Sequence, residues 1–341
     1  MENKLMKLSL LSPSIILLTI ASFLYSCKSS HSPLASNELS EPNLDPSKCI
    51  YSGDKFEPRA RLASGAHKGE CVDTRTKRSV IKLPGNSTSI KIANLTHNDE
   101  FWNAEIPING VKDVIFQIEV FPAFKQQPAN WELAGHSQIR LQFSPENPIH
   151  LTHQLNPQRT ETLTDIVISA EAVGEIGYAY DIFNGMKMKM NRTGGPFSLE
   201  FENNGDFNIV YRVVSLHDRY DWMVNKQHHK VTQFPLKLTD EDKQKILPAF
   251  IDISMKNKLD IAYHTITLNC ANQMFLTLDN ALTYLNFNKP KQGRYNLRES
   301  YPIGSYKALA PRGLLDIDKN SATGFKMLPN LADDPSAAPR N

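Results

Sequence analysis

Cysteine is scarce in this chain, with four residues in 341, and no two of them stand in the CxxC spacing of a zinc or redox site. No HxxxH spacing accompanies them either, so no metal centre and no cofactor is expected from the sequence. Net charge is nearly absent: 38 basic residues face 36 acidic ones. With no basic stripe interleaved with aromatics, nucleic acid is excluded as a partner. No apolar run after Tyr25 is long enough to cross a bilayer, which excludes a later membrane-spanning helix. Hydrophobic residues make up 40% of the chain, the share of an ordinary globular protein.

What is present begins with an export signal. Lys4 and Lys7 precede an apolar run from Leu8 to Tyr25 that ends in Leu24-Tyr25-Ser26-Cys27. That ending resembles the lipobox of bacterial lipoproteins, so residues 1–26 are expected to be removed and Cys27 lipidated. Residues 27–46 are rich in Ser, Pro, Asn and Glu and read as a flexible tether. In an oxidising compartment Cys49 and Cys71 are expected to form a disulfide, closing a loop of roughly twenty residues for about 3 kcal/mol. Cys270 is then left over as a single thiol.

From Ser79 to Phe124, short β-branched runs (Val80-Ile81-Lys82-Leu83, Ser89-Ile90-Lys91-Ile92, Val114 to Phe121) predict strands of a β-rich accessory region over 47–129. His136 to Phe143 alternates from Gln138 onward. Ile139, Leu141 and Phe143 should face the core, and His136, Gln138, Arg140 and Gln142 the other side. Further strands are predicted at Asp165 to Ser169, Gly177 to Tyr180 and Asn208 to Val214, in an antiparallel meander. Thr239 with Asp242 suggests a capping box for a helix toward Lys256 that Pro248 should kink or split. A second helix starts at Asn269 or Cys270, with Phe275, Leu278, Leu282 and Leu285 on one stripe. Residues 291–341 read as an extension, disordered from Ala332.

A thiol in the first turn of a helix faces unpaired N–H groups and the positive end of the dipole, which favours its thiolate. Cys270 is therefore the candidate nucleophile. An imidazole suits the role of its base. His136, on the polar face at the start of its strand, is the first choice, with a solvated surface histidine the alternative reading. His264, six residues before the cysteine, is the rival. A third group normally orients the imidazole; His150, His153, Gln142 and Glu171 are candidates. His228-His229 reads as exposed, and Asp218-Arg219-Tyr220-Asp221-Trp222 either lines a groove or forms a local ion pair.

Gly135-His136-Ser137 with its Arg140-bearing strand, Asp218 to Trp222, Phe234 to Thr239, and Tyr263-His264-Thr265 with Asn269-Cys270 resemble the Lnb N-terminal periplasmic domain family. The resemblance spans roughly residues 130–285. That family is similar to the circularly permuted branch of the NlpC-type papain fold that includes lecithin:retinol acyltransferase-like enzymes, in which the histidine strand precedes the cysteine helix. The resemblance implies an α+β, permuted papain-like domain over 130–290, with Cys270 attacking an ester or amide carbonyl and His136 moving the proton. It also implies supporting places for Asn269, Tyr263 and Arg140.

The sequence reading is therefore a lipid-anchored envelope protein, at the outer membrane facing the periplasm. It would act as a cysteine-dependent acyltransferase or hydrolase on a lipid or lipoprotein-type substrate. A peptidoglycan amidase or peptidase, and a non-catalytic envelope-binding lipoprotein, are the alternatives.

Overall fold

The computed structural model describes residues 43–65, 67–121, 135–174, 207–257, 259–264, 267–290 and 295–337. The signal segment, Cys27 and the strand expected at Gly177 to Tyr180 lie outside the described residues. Among the described residues no helix is long and apolar enough to cross a membrane.

The strands are β1 (Leu44–Asp45), β2 (Ile50–Tyr51), β3 (Ile81–Leu83), β4 (Ser89–His97), β5 (Glu100–Pro107), β6 (Val111–Val120), β7 (Gly135–Phe143), β8 (Ile149–His153), β9 (Thr160–Leu163), β10 (Asp165–Val173), β11 (Asn208–Ser215) and β12 (Lys230–Pro235). Ten of them form one sheet in the order β12-β6-β7-β10-β11-β4-β5-β8-β9, with β3 on β4. All its neighbours are antiparallel except β11 and β4, which run parallel with Val213 opposite Leu95 and Val214 opposite Thr96. The expected meander is thus a mixed sheet. The strands of the expected accessory region are spread through it, with β6 between β12 and β7, so residues 79–121 do not form a sheet of their own.

Ile139, Leu141 and Phe143 enter the main core as their alternation predicts. They meet Phe250 and Ile251 of helix α2 (Asp240–Asn257) and Met274, Phe275 and Leu278 of helix α3 (Cys270–Ala281). Burying each of these large side chains contributes about 1.5–3 kcal/mol. The opposite face of β7 departs from expectation, because His136, Gln138 and Arg140 are buried as well. That face is polar but covered. Gln233, Gln117 and Gln138 stand opposite one another on β12, β6 and β7 and are linked side chain to side chain at 2.8 Å. Helix α1 (Leu216–Tyr220) and the π-helical turn Asp221–Lys226 bring Arg219 and Met223 onto this ladder.

Thr239 and Asp242 bond reciprocally at the start of α2, Asp242 N to Thr239 Oγ1 at 3.1 Å. Pro248 does not split that helix, which is continuous over 18 residues. In α3, Phe275, Leu278 and the C-cap Leu282 are buried, but Leu285 lies beyond the helix and is fully exposed.

The C-terminal stretch is built into the structure as far as residue 337. Arg312 grips Asp279 of α3 through two bonds of 2.8 and 2.9 Å. Asp334 accepts from the buried Arg140 at 2.8 Å and from Gln233 at 2.9 Å. Order therefore continues past Ala332, because these groups satisfy charges already buried in the sheet. At the other end Leu44–Asp45 pair with Ile50–Tyr51, so the tether yields to structure before residue 46. Cys49 and Cys71 are joined in a disulfide with Cα atoms 5.3 Å apart.

Candidate functional site

Asn269 explains where α3 starts. Its backbone is extended, its side-chain oxygen accepts from the N–H groups of Ala271 (3.0 Å) and Asn272 (3.1 Å), and Asn272 returns a bond to its N–H at 2.9 Å. This reciprocal cap satisfies donors that a bare helix end leaves open. The Asn269 amide also donates to the Ser300 carbonyl at 2.8 Å, pinning the cap to the C-terminal segment. Cys270 is thereby held as the first residue of the helix.

The sulfur is buried, and it faces the backbone N–H groups of Ser137 and Ala271 and the hydroxyl of Tyr263. Burial raises the Cys270 pKa to about 11, against the lowering effect of those three donors. The positive end of the helix supplies one force only. Desolvation outweighs it, and the resting thiol is protonated at neutral pH. Tyr263 is itself held well above its ordinary value, by burial first and by Cys270 second.

His136 is the neighbour of Ser137 at the same end of β7. Its ring is buried and lies 2.6 Å from the Ser169 hydroxyl through Nε2. Burial, followed by the nearby Arg219, lowers its pKa to about 4, with Glu119 and Glu171 acting the other way. The imidazole is therefore neutral at pH 7. Strand alternation sends the His136 and Ser137 side chains to opposite faces, and Ser137 bonds Ser305 at 3.1 Å. His136 thus stands next to the Ser137 N–H that faces the Cys270 sulfur, with Ser169 occupying the imidazole nitrogen.

A small cavity of about 60 Å³ opens at His136, lined among others by His136, Tyr263, Glu119, Glu171, Arg219 and Trp222. Burial raises Glu119, but the His229 hydrogen bond (2.6 Å) and Arg219 more than offset it, leaving its pKa lowered. Glu171 lies well below the usual range; burial opposes this, while Lys77 (3.0 Å), Arg212 and Arg219 hold it there. Lys77 is lowered, by burial first. Arg219 is buried, and its Nε has no hydrogen-bond partner among the described residues.

The other expected residues divide clearly. Asn269 and Tyr263 are at the site. Arg140 is not: it is bound to Asp165, Asp334, Gln233 and Ser336 on the far stretch of β7. His150 is exposed on β8, five strands from β7 in the sheet order, which is about 24 Å at ~4.8 Å per strand. His264 sits in a tight turn, its Nδ1 accepting from Thr267 N at 3.1 Å. His153 likewise accepts from Asn156 N and packs edge-on to Trp102. His229, expected at the surface, is buried against Glu119. Sequence reasoning missed Ser169, Glu119 and Lys77. Glu119 could have been found by pairing strands, since it stands directly opposite His136.

The described residues form an α+β domain with a mixed sheet and an asparagine-capped helix that starts at Cys270. The model of the Lnb N-terminal periplasmic domain matches residues 99–312, more than half of the chain, and the chain belongs to that family. The match begins at the β4–β5 turn and includes β6, in keeping with the single sheet. No curated protein and no solved structure shows a significant match.

Proposed function

We propose that this periplasmic-domain protein is an envelope-anchored thiol acyltransferase or hydrolase, tethered through lipidated Cys27, with a permuted papain-like domain that carries Cys270 as nucleophile and His136 as base. The observation that carries the reading is the setting of the Cys270 sulfur, which an asparagine-capped helix start holds against two backbone N–H donors and a tyrosine hydroxyl. The same donors that would stabilise a thiolate could receive an oxyanion. Neutral His136 Nε2, once released by Ser169, accepts the thiol proton as the S–C bond forms. It then returns that proton to the leaving group. Water or an amine takes the acyl group from sulfur and frees the thiol.

One observation favours a second substrate class. The described cleft carries Lys77, Arg219, Glu119 and Glu171 beside Phe121 and Trp222, and the unpaired Arg219 Nε calls for an acceptor oxygen. Such walls suit a peptidoglycan stem better than an acyl chain.

The test is incubation of the full chain with radiolabelled phospholipid and, separately, with muropeptides, wild type beside Cys270→Ala. A hydroxylamine-labile adduct in the wild type alone is the expected result, and its label identifies the donor class. An adduct that persists in the alanine variant, or none with either substrate, defeats the thiol mechanism and leaves the envelope-binding role.

A further inference from the structure

We propose that His97, His217 and Asp218 form a binding site for a borderline divalent cation of the zinc type, at the end of the sheet opposite Cys270 and separate from the thiol chemistry. One ligand atom from each lies within 4.8 Å of the others.

The parallel join of β4 and β11 creates the cluster. Thr96 stands opposite Val214, so His97 at the end of β4 and Ser215 at the end of β11 come side by side. Ser215 then caps α1 by accepting from Asp218 N, which turns His217 and Asp218 back over His97. Residues more than a hundred positions apart thus meet in a way no local spacing reveals.

The hydrogen bonds around the cluster orient it for a metal. Glu161 Oε2 lies 2.8 Å from His97 Nε2 and the Asn98 amide nitrogen 3.2 Å from it; the nearer partner is a carboxylate, which only accepts, so the proton is on Nε2 and the lone pair on Nδ1. That is the outer partner that metal-bound histidines commonly have. His97 Nδ1 accepts from the Ser215 hydroxyl at 3.0 Å, a bond that a cation would replace, and lies 4.0 Å from Asp218 Oδ1. His217 Nδ1 is 3.2 Å from the same oxygen.

Bonds of about 2.1 Å in a tetrahedron give ligand edges of about 3.4 Å. The His217–Asp218 edge is already of that size, and the His97–Asp218 edge must shorten by roughly 0.6 Å. Asp218 is firmly aimed, because its two oxygens accept from Asn98 N (2.8 Å) and Asp99 N (3.1 Å) at the tip of the β4–β5 hairpin. Both tip residues have positive φ, 54° and 57°, as a two-residue hairpin requires. Each oxygen keeps a second lone-pair direction for a cation. His217 is 47% exposed and opens the route from solvent. Two imidazoles and one carboxylate suit zinc and its neighbours, and not magnesium or calcium, which take oxygen sets.

The test is a cobalt(II) titration of the full chain in a Cys27→Ser, Cys270→Ser background, so that neither cysteine outside the disulfide competes. One equivalent should bind with the intense visible band of a four-coordinate ion, and zinc should displace it. His217→Ala should weaken binding at least tenfold, and Glu161→Gln about tenfold with unchanged stoichiometry. Zinc should raise the melting temperature of the parent and not of His217→Ala, whose fold is checked by circular dichroism. Absence of the band at stoichiometric cobalt, or equal affinity in His217→Ala, overturns the site.

Discussion

Cys270 and His136 are held in neutral forms by burial, and both consequences can be measured. With a thiol pKa of about 11, about one molecule in 3,000 carries a thiolate at pH 7.5. Alkylation by iodoacetamide, followed by mass spectrometry, should be slow and should rise tenfold per pH unit up to pH 10. Tyr263→Phe removes one thiolate donor and should slow it further; a rate equal to that of free cysteine contradicts the buried thiol. The His136 pKa of about 4 lies below its unfolded value of 6.5. The unfolded chain therefore binds the proton first as pH falls. Stability is fully present above pH 6.5 and declines toward pH 4, by on the order of 2–3 kcal/mol from this residue. Urea midpoints across that window should flatten in His136→Gln. The identities of nucleophile and imidazole were readable from residue type and order. Their protonation states were not, because they depend on groups brought in by β6, β10 and α1.

The start of α3 and the turn into β7 position the site, and each depends on one residue. Asn269→Ala opens two backbone N–H groups and a bond to Ser300, and should cost about 1–2 kcal/mol in urea unfolding. Gly135 is needed for space: a Cβ there would lie 2.7 Å from the Glu119 carbonyl oxygen and 3.0 Å from Ile303. Gly135→Ala should destabilise by about 1–3 kcal/mol and disturb the His136 register. Periodicity disclosed β7, and the asparagine signalled the start of α3. What it concealed was the covered polar face of β7, because a glutamine ladder and paired charges look like surface when their partners come from other strands. Pro248 and Leu285 mislead for a related reason, since tertiary packing governs whether a helix continues or ends.

At the scale of the molecule, the last described residues close the polar face. Arg140 is wholly buried, and Asp334 and Ser336 supply two of its partners. Truncation after Pro329 should destabilise the protein by about 1–3 kcal/mol, visible as a lowered melting temperature, because it removes two hydrogen-bond partners of a buried charge.

The parallel join of β11 to β4 is the single seam between β12-β6-β7-β10-β11 and β4-β5-β8-β9. The chain passes back and forth across it, since β8 and β9 fall between β7 and β10 in sequence. Folding order follows from this lacing. The half of β4, β5, β8 and β9 is complete in sequence by Leu163, but it docks only through β11, and the other half is complete only at Pro235. The long-range pairing should make folding slow, and the domain should acquire its shape only after most of its length is free.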